Sequence, residues 1–178
     1  MIIADIRVSV EKMAKNRGKD FEHVIRECFE RIDDVSIDRL HDQTNGYKGS
    51  QNICDLIVYR QPYEHYFECK SVHGNTLPFS DITETQWNGL LAKSQIEGVI
   101  AGIICWWIDL DETWFIPIWV LEDAKQVMND KSLNLKRPHM QGYWVHIDGK
   151  KKRVFFDYDL ESFLNDLENQ YERGFLNE

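Results

Sequence analysis

Residues 54–59 read CDLIVY and residues 65–70 read HYFECK. Both runs are rich in β-branched and aromatic residues, and Gln61-Pro62 breaks them apart, so together they predict an antiparallel hairpin. Alternate side chains of a strand share a face. Glu68 and Lys70 therefore point one way and Cys69 points to the core. If the two strands pair, Asp55 joins the face of Glu68 and Lys70. Two carboxylates and an ammonium then converge at one edge of a sheet otherwise made of Leu, Ile, Val, Tyr and Phe.

The flanking sequence supplies helices for such a sheet. In residues 17–32, Phe21, Val24, Ile25, Cys28, Phe29 and Ile32 follow a 3.6-residue period and predict an amphipathic helix. Residues 35–40 read as a short strand and 41–52, with Asn45-Gly46 and Gly49-Ser50, as a loop. After a loop over 71–80, a helix is expected from about Ile82 to Ile96, stopped by Gly98. Val99 to Trp107 is continuously apolar, the mark of a strand covered on both faces. A turn at 109–112, a strand at 114–118 and a helix at 120–129 follow. Residues 143–147 and 153–156 read as a hairpin around Asp148-Gly149, and 160–171 as a last amphipathic helix. The order predicts an α/β fold, a mixed central sheet flanked by helices in a single domain.

The chain has 178 residues, enough to bury a core without staples, and its 43% hydrophobic and 29% charged content is that of a globular protein. The four cysteines form no CxxC pair, which disfavours a zinc knuckle. They suit a reducing compartment. No signal peptide is visible, and the longest apolar run is far below the ~20 residues of a membrane helix, so a cytoplasmic protein is expected, with no membrane partner. The net charge of −9 argues against a nucleic-acid partner only as a total. Residues 109–123 hold five acids and no base, and residues 157–178 carry a net −6. Residues 131–153 carry a net +6, and residues 12–19 hold four basic residues and no acid.

Charges beside buried strands are costly unless paired or metal-bound. Two close carboxylates favour Mg²⁺, a hard cation that takes oxygen ligands and keeps several waters. Such an ion activates water and neutralises charge on a phosphate oxygen. A neighbouring lysine can orient that water or stabilise the transition state. The same spacing also fits a surface ion pair between Glu68 and Lys70 on an edge strand, with Asp55 ending a turn.

The arrangement Asp55…Glu68-Cys69-Lys70 resembles the PD-(D/E)XK nuclease superfamily, and the wider pattern resembles RecU-type Holliday junction resolvases. The wider pattern is Asn16-Arg17-Gly18 with Glu22 on the first helix, Cys54-Asp55, Phe67 to Lys70, Leu77-Pro78-Phe79, Gln86 at a helix start, then an apolar strand and a Pro-containing strand. It spans residue 16 to about residue 120, which is taken as the nuclease core of a single domain, with the C-terminal hairpin and helix at 131–178 added to it. The resemblance implies a restriction-endonuclease-like fold and a Mg²⁺-dependent DNA endonuclease, with Mn²⁺ as a substitute, nicking four-way junctions or other branched DNA as a homodimer. Asp55 and Glu68 match the metal ligands, Lys70 the residue that positions the attacking water, Glu22 the helix-borne acid beside the metal, and Gln86 the glutamine near the scissile phosphate. Two departures stand out. Cys54 replaces the usual proline, and the loop before Asp55 is shorter than the stalk that RecU-type enzymes insert into the junction. A restriction-like or repair nuclease, or a non-catalytic interaction module, is the alternative.

Phosphate contacts are expected from Lys12, Lys15, Arg17, Lys19, Lys48, Arg137, Lys150, Lys151 and Lys152. Lysines 150–152 fit equally well as edge-protecting charges on a hairpin. Trp106, Trp107, Trp114 and Trp119 are read as strand residues in the core or a subunit interface.

Overall fold

The computed structural model describes residues 17–40 and 52–174. Six strands form the main sheet: β1 (Ser36–Arg39), β2 (Leu56–Arg60), β3 (Tyr63–Val72), β5 (Val99–Trp107), β6 (Glu112–Pro117) and β8 (Val145–His146), adjacent in that order. Only the β3–β5 pair is parallel, running from Glu64↔Val99 to Val72↔Trp107. The other neighbours are antiparallel, so the sheet is mixed. The predicted hairpin is β2–β3, closed by a two-residue turn at Gln61-Pro62.

Helices cover both faces. The first helix, α1, spans residues 17–29, and α4 spans Leu160–Glu172. Their apolar faces bury Phe21, Ile25, Phe29, Phe163 and Leu167 against Leu56, Val58, Phe67, Ile104 and Phe115. On the opposite face, α2 (Glu84–Ser94) and α3 (Ile118–Gln126) bury Trp87, Leu90, Val120 and Leu121 against Tyr66, Ile103, Cys105 and Ile116. Every residue of β5 is buried, which is why its sequence lacks alternation. Gly102 in β5 is required by that packing: a Cβ there would lie 2.3 Å from the Ile116 carbonyl and 2.7 Å from the Phe115 ring. All four cysteines are buried and free. Among the described residues no helix is long and apolar enough to cross a membrane.

Several expected boundaries move. The 71–80 loop is replaced by the end of β3 and a short strand, β4 (Thr76–Pro78), which pairs with β7 (Ser132–Asn134). Three-residue strands carry too little periodicity to read from sequence. Trp119 lies in α3, which begins directly after Pro117 rather than at residue 120. The hairpin around Asp148-Gly149 does not form. Instead β8 joins β6, while β9 (Gly149–Lys151) pairs with β10 (Phe156–Tyr158). Gly149 works as a strand residue under a close neighbour. A Cβ there would meet the Phe156 and Tyr158 side chains at 3.0 Å.

An ion pair ties α4 to the end of β2 and, through His65, to the start of β3. Arg60 donates from Nε to Glu168 Oε1 at 3.0 Å and from Nη2 to Oε2 at 2.5 Å, and His65 Nε2 lies 3.2 Å from Oε1. Burial pushes the Glu168 carboxyl up, but hydrogen bonds from His65 and Arg60 outweigh it and hold the group below its usual value. A depressed carboxylate adds stability above its unfolded pKa, near 4, and loses it as pH falls through the lower folded value. Glu168→Gln should cost about 1–2 kcal/mol at neutral pH, less than for a fully buried pair because Glu168 is partly exposed. Chemical denaturation should show the gap to wild type closing in strong acid; a gap independent of pH would contradict this.

Candidate active site

Asp55 sits one residue before β2, and its N–H donates to the Phe67 carbonyl at 3.1 Å. Since Leu56 pairs with Phe67, this contact sets Asp55 opposite Glu68. The Cys69 N–H donates to Asp55 Oδ2 at 2.8 Å. Glu68 lies in an interior strand and is 2% exposed. The surface ion-pair reading therefore fails, and so does the placement at a sheet edge: the group sits in the C-terminal half of β3, inside the sheet.

Glu68 has partners on one oxygen only. Lys70 Nζ lies 2.8 Å from Oε1, and Gln86 Nε2 donates to the same atom at 2.6 Å. Oε2 is buried without a hydrogen-bond partner. Such an orphan is a reason to look for a missing ligand.

Gln86 is fixed from two sides. Thr83 is the N-cap of α2, its hydroxyl accepting from the Gln86 N–H at 3.2 Å, while Gln86 Oε1 accepts from the Thr83 N–H at 2.9 Å. This is a complete capping box. The cap orients the amide so that its NH₂ faces Glu68. A polar residue at a helix start and a contact to the acidic centre, the two readings of Gln86, are one arrangement.

Glu22, on α1, accepts from Arg39 Nε at 2.9 Å. Its charge acts on both Asp55 and Glu68. Arg39 was legible only as an alternating strand position; its partner is 17 residues away, and no local pattern announces it.

The electrostatics are those of an uncompensated acidic pair. Burial, and then the Glu68 charge, push the Asp55 carboxyl up to about 8. Burial also raises Glu68, against the lowering by Lys70. One ammonium is too little charge for a buried carboxylate and a half-buried one, so the pair favours either a proton or a cation. Among the described residues there is no group of three or more His, Cys, Asp and Glu side chains that could hold a metal ion. Two carboxylates with an orphan oxygen nevertheless fit Mg²⁺, which is bound by one or two carboxylates and keeps most of its waters.

The basic residues are distributed around this end of the sheet. Arg17 Nη1 lies 3.3 Å from His73 Nε2, and His73 Nδ1 lies 3.0 Å from Asp109 Oδ1. Lys19 is exposed on α1, and Arg137 is exposed after β7. Of the lysines in and after β9, Lys151 is paired with Asp111 and Lys152 with Asp157, while Lys150 is exposed. Lys12, Lys15 and Lys48 lie outside the described residues. Trp106 and Trp107 are core residues, and Trp114 and Trp119 are partly exposed.

No protein-family profile matches the chain, and no curated protein matches it. Among solved structures, Hjc, a Holliday junction resolvase from the archaeal hyperthermophile Archaeoglobus fulgidus, has a TM-score of 0.42 and 16% identity. The likeness covers 58% of this chain and 78% of that one. It is a distant resemblance, and overlap at this level assigns neither fold nor activity by itself.

Gln86 carries both a cap and a buried bond, so the two contributions separate by mutation. Thr83→Ala, which loses the cap alone, should cost about 1 kcal/mol. Gln86→Ala should cost more, because it also removes one of the two donors to Glu68 Oε1. Equal losses in urea denaturation would show that the Gln86–Glu68 bond contributes nothing.

Proposed function

We propose that this chain is a metal-dependent DNA endonuclease that cuts branched DNA by hydrolysing phosphodiester bonds. The observation that carries the reading is the half-buried Asp55 set against the buried Glu68, with Lys70 beside it and Glu68 Oε2 unpartnered. A structural ion pair would satisfy its oxygens and lower its pKa values, as the Arg60–Glu168 pair does. This pair does neither.

Asp55 and Glu68 would hold Mg²⁺, or Mn²⁺ in its place. The ion, when bound, supplies positive charge to the phosphate and lowers the pKa of water. The chain's own residues do the rest. The Cys69 N–H and the β2–β3 register fix Asp55, and Gln86 fixes Glu68. Lys70, partly exposed, presents N–H groups to the site, where they can orient a water and balance charge on the phosphate. Glu22, held by Arg39, adds negative charge beside the pair and so favours a cation there.

Preference for branched DNA and a homodimeric state are parts of the same proposal, resting on the residue pattern shared with junction resolvases. Paired nicks across a junction need two sites related by symmetry.

The test is nicking of a mobile four-way junction, a flap and a linear duplex with Mg²⁺. Asp55→Ala and Glu68→Ala should each lower the cutting rate at least about a thousandfold while junction binding persists, and Lys70→Ala should lower it about a hundredfold. Undiminished cutting by either carboxylate variant would refute the assignment. Cutting of linear duplex at the same rate would refute the branched substrate alone, and no cutting of any DNA would leave a binding module.

A further inference from the structure

A cavity of about 340 Å³ opens beside β6, lined by Leu110, Glu112, Trp114, Leu135, Lys136 and Gln141. The sheet register ties it to the acidic site. Lys70 pairs with Cys105, and Cys105 pairs with Trp114. Directly paired residues share a face of a sheet. Trp114 therefore lies on the same face as Lys70, two strands away, which is about 10 Å at the usual strand spacing.

The indole is held rigidly. The His146 ring meets it edge-on at 4.7 Å between centroids, and Trp144 does so at 6.2 Å. Its Nε1 donates to Glu112 Oε2 at 3.1 Å. Glu112, the one acid in the lining, is also within 3.1 Å of His146 Nε2, so its charge is engaged. The rest of the lining is apolar or basic in character. Leu110 and Leu135 supply apolar walls, Gln141 an exposed amide, and Lys136 an exposed ammonium within a segment, residues 131–137, that contains three basic residues and no acid. A clamped aromatic plane, an amide that both donates and accepts, and a cation match one chemical class: a nucleotide, its base stacked on the ring and its phosphate on the lysine.

We infer that this cavity binds an unpaired nucleobase of the strand being cut. The inference rests on the nuclease reading and adds a substrate requirement to it. Fully paired duplex keeps its bases inside the helix and cannot fill the cavity. A branch point, with bases free beside the backbone, can fill it.

The test uses the whole chain in a chelator, so that no strand is cut. The probes are a duplex with a short single-stranded tail, carrying 2-aminopurine at successive tail positions, and a blunt duplex of equal length. Wild type should quench 2-aminopurine at one register. Trp114→Leu should remove the quenching and weaken tailed-duplex binding about tenfold, with blunt-duplex binding unchanged. Trp114→Phe should restore most of the affinity. Lys136→Ala, at an exposed position that leaves the sheet intact, should weaken tailed-duplex binding and reduce its salt dependence by about one phosphate contact. No quenching at any tail position, or equal losses on blunt and tailed DNA, would overturn the base site. Free deoxyadenosine monophosphate competing as well as the tailed strand would overturn the strand as its occupant. Quenching by a protein that cuts no DNA with Mg²⁺ would keep the base site and remove the nuclease reading. Cutting that depends on Glu68, without quenching, would remove the base site alone.

Discussion

The Glu68 carboxylate is the constraint around which this structure is arranged. It is buried in an interior strand, where an ion without compensation is very costly. Its neighbours are consistent with partial compensation. Lys70 follows two residues later on the same face, and the α2 cap turns an amide toward it. The β2–β3 register then sets Asp55 across from it and makes the balance worse. A fold selected for stability alone would not place a second, half-buried acid there. The arrangement is stable with a proton or with a cation, and the orphan Glu68 oxygen is the place for the latter.

The turn end of the β2–β3 hairpin shows the contrast. Glu168 meets a bidentate Arg60 and His65, and its carboxyl is lowered. Asp55 and Glu68 meet one lysine, and theirs are raised. The β2–β3 hairpin thus carries a carboxylate with a bidentate partner beside its turn, which docks α4, and an under-compensated one in the C-terminal half of β3. Coupling between strain in charge balance and chemical capacity is the usual logic of a functional site.

Much of this was legible in the residues. The 3.6-residue spacing from Phe21 to Ile32, the unbroken apolar run from Val99 to Trp107 and the two β-rich runs around Gln61-Pro62 have one physical reading each, and the structure follows them, except that α1 stops at residue 29 rather than 32. The site acids were legible because alternation in a strand is strict, so Glu68 and Lys70 had to share a face. What sequence could not supply was partnership at long range. Nothing local says that β8 leaves its neighbour Gly149 to pair with β6, that β4 and β7 meet, or that Arg39 holds Glu22. The depth of Glu68 was also hidden, since a strand's place within a sheet follows from topology. The uneven charge had a readable pattern but not a readable position: two of the lysines 150–152 are engaged by Asp111 and Asp157.

The central claim is that Asp55 and Glu68 form a cation site. Calorimetric titration of Mg²⁺ and Mn²⁺ into wild type and Glu68→Gln tests it without reference to any substrate. The claim predicts saturable binding in the wild type, accompanied by proton release because a raised carboxyl gives up its proton to the ion, and loss of that binding in the variant. Equal binding by both proteins, or none by the wild type, would contradict it.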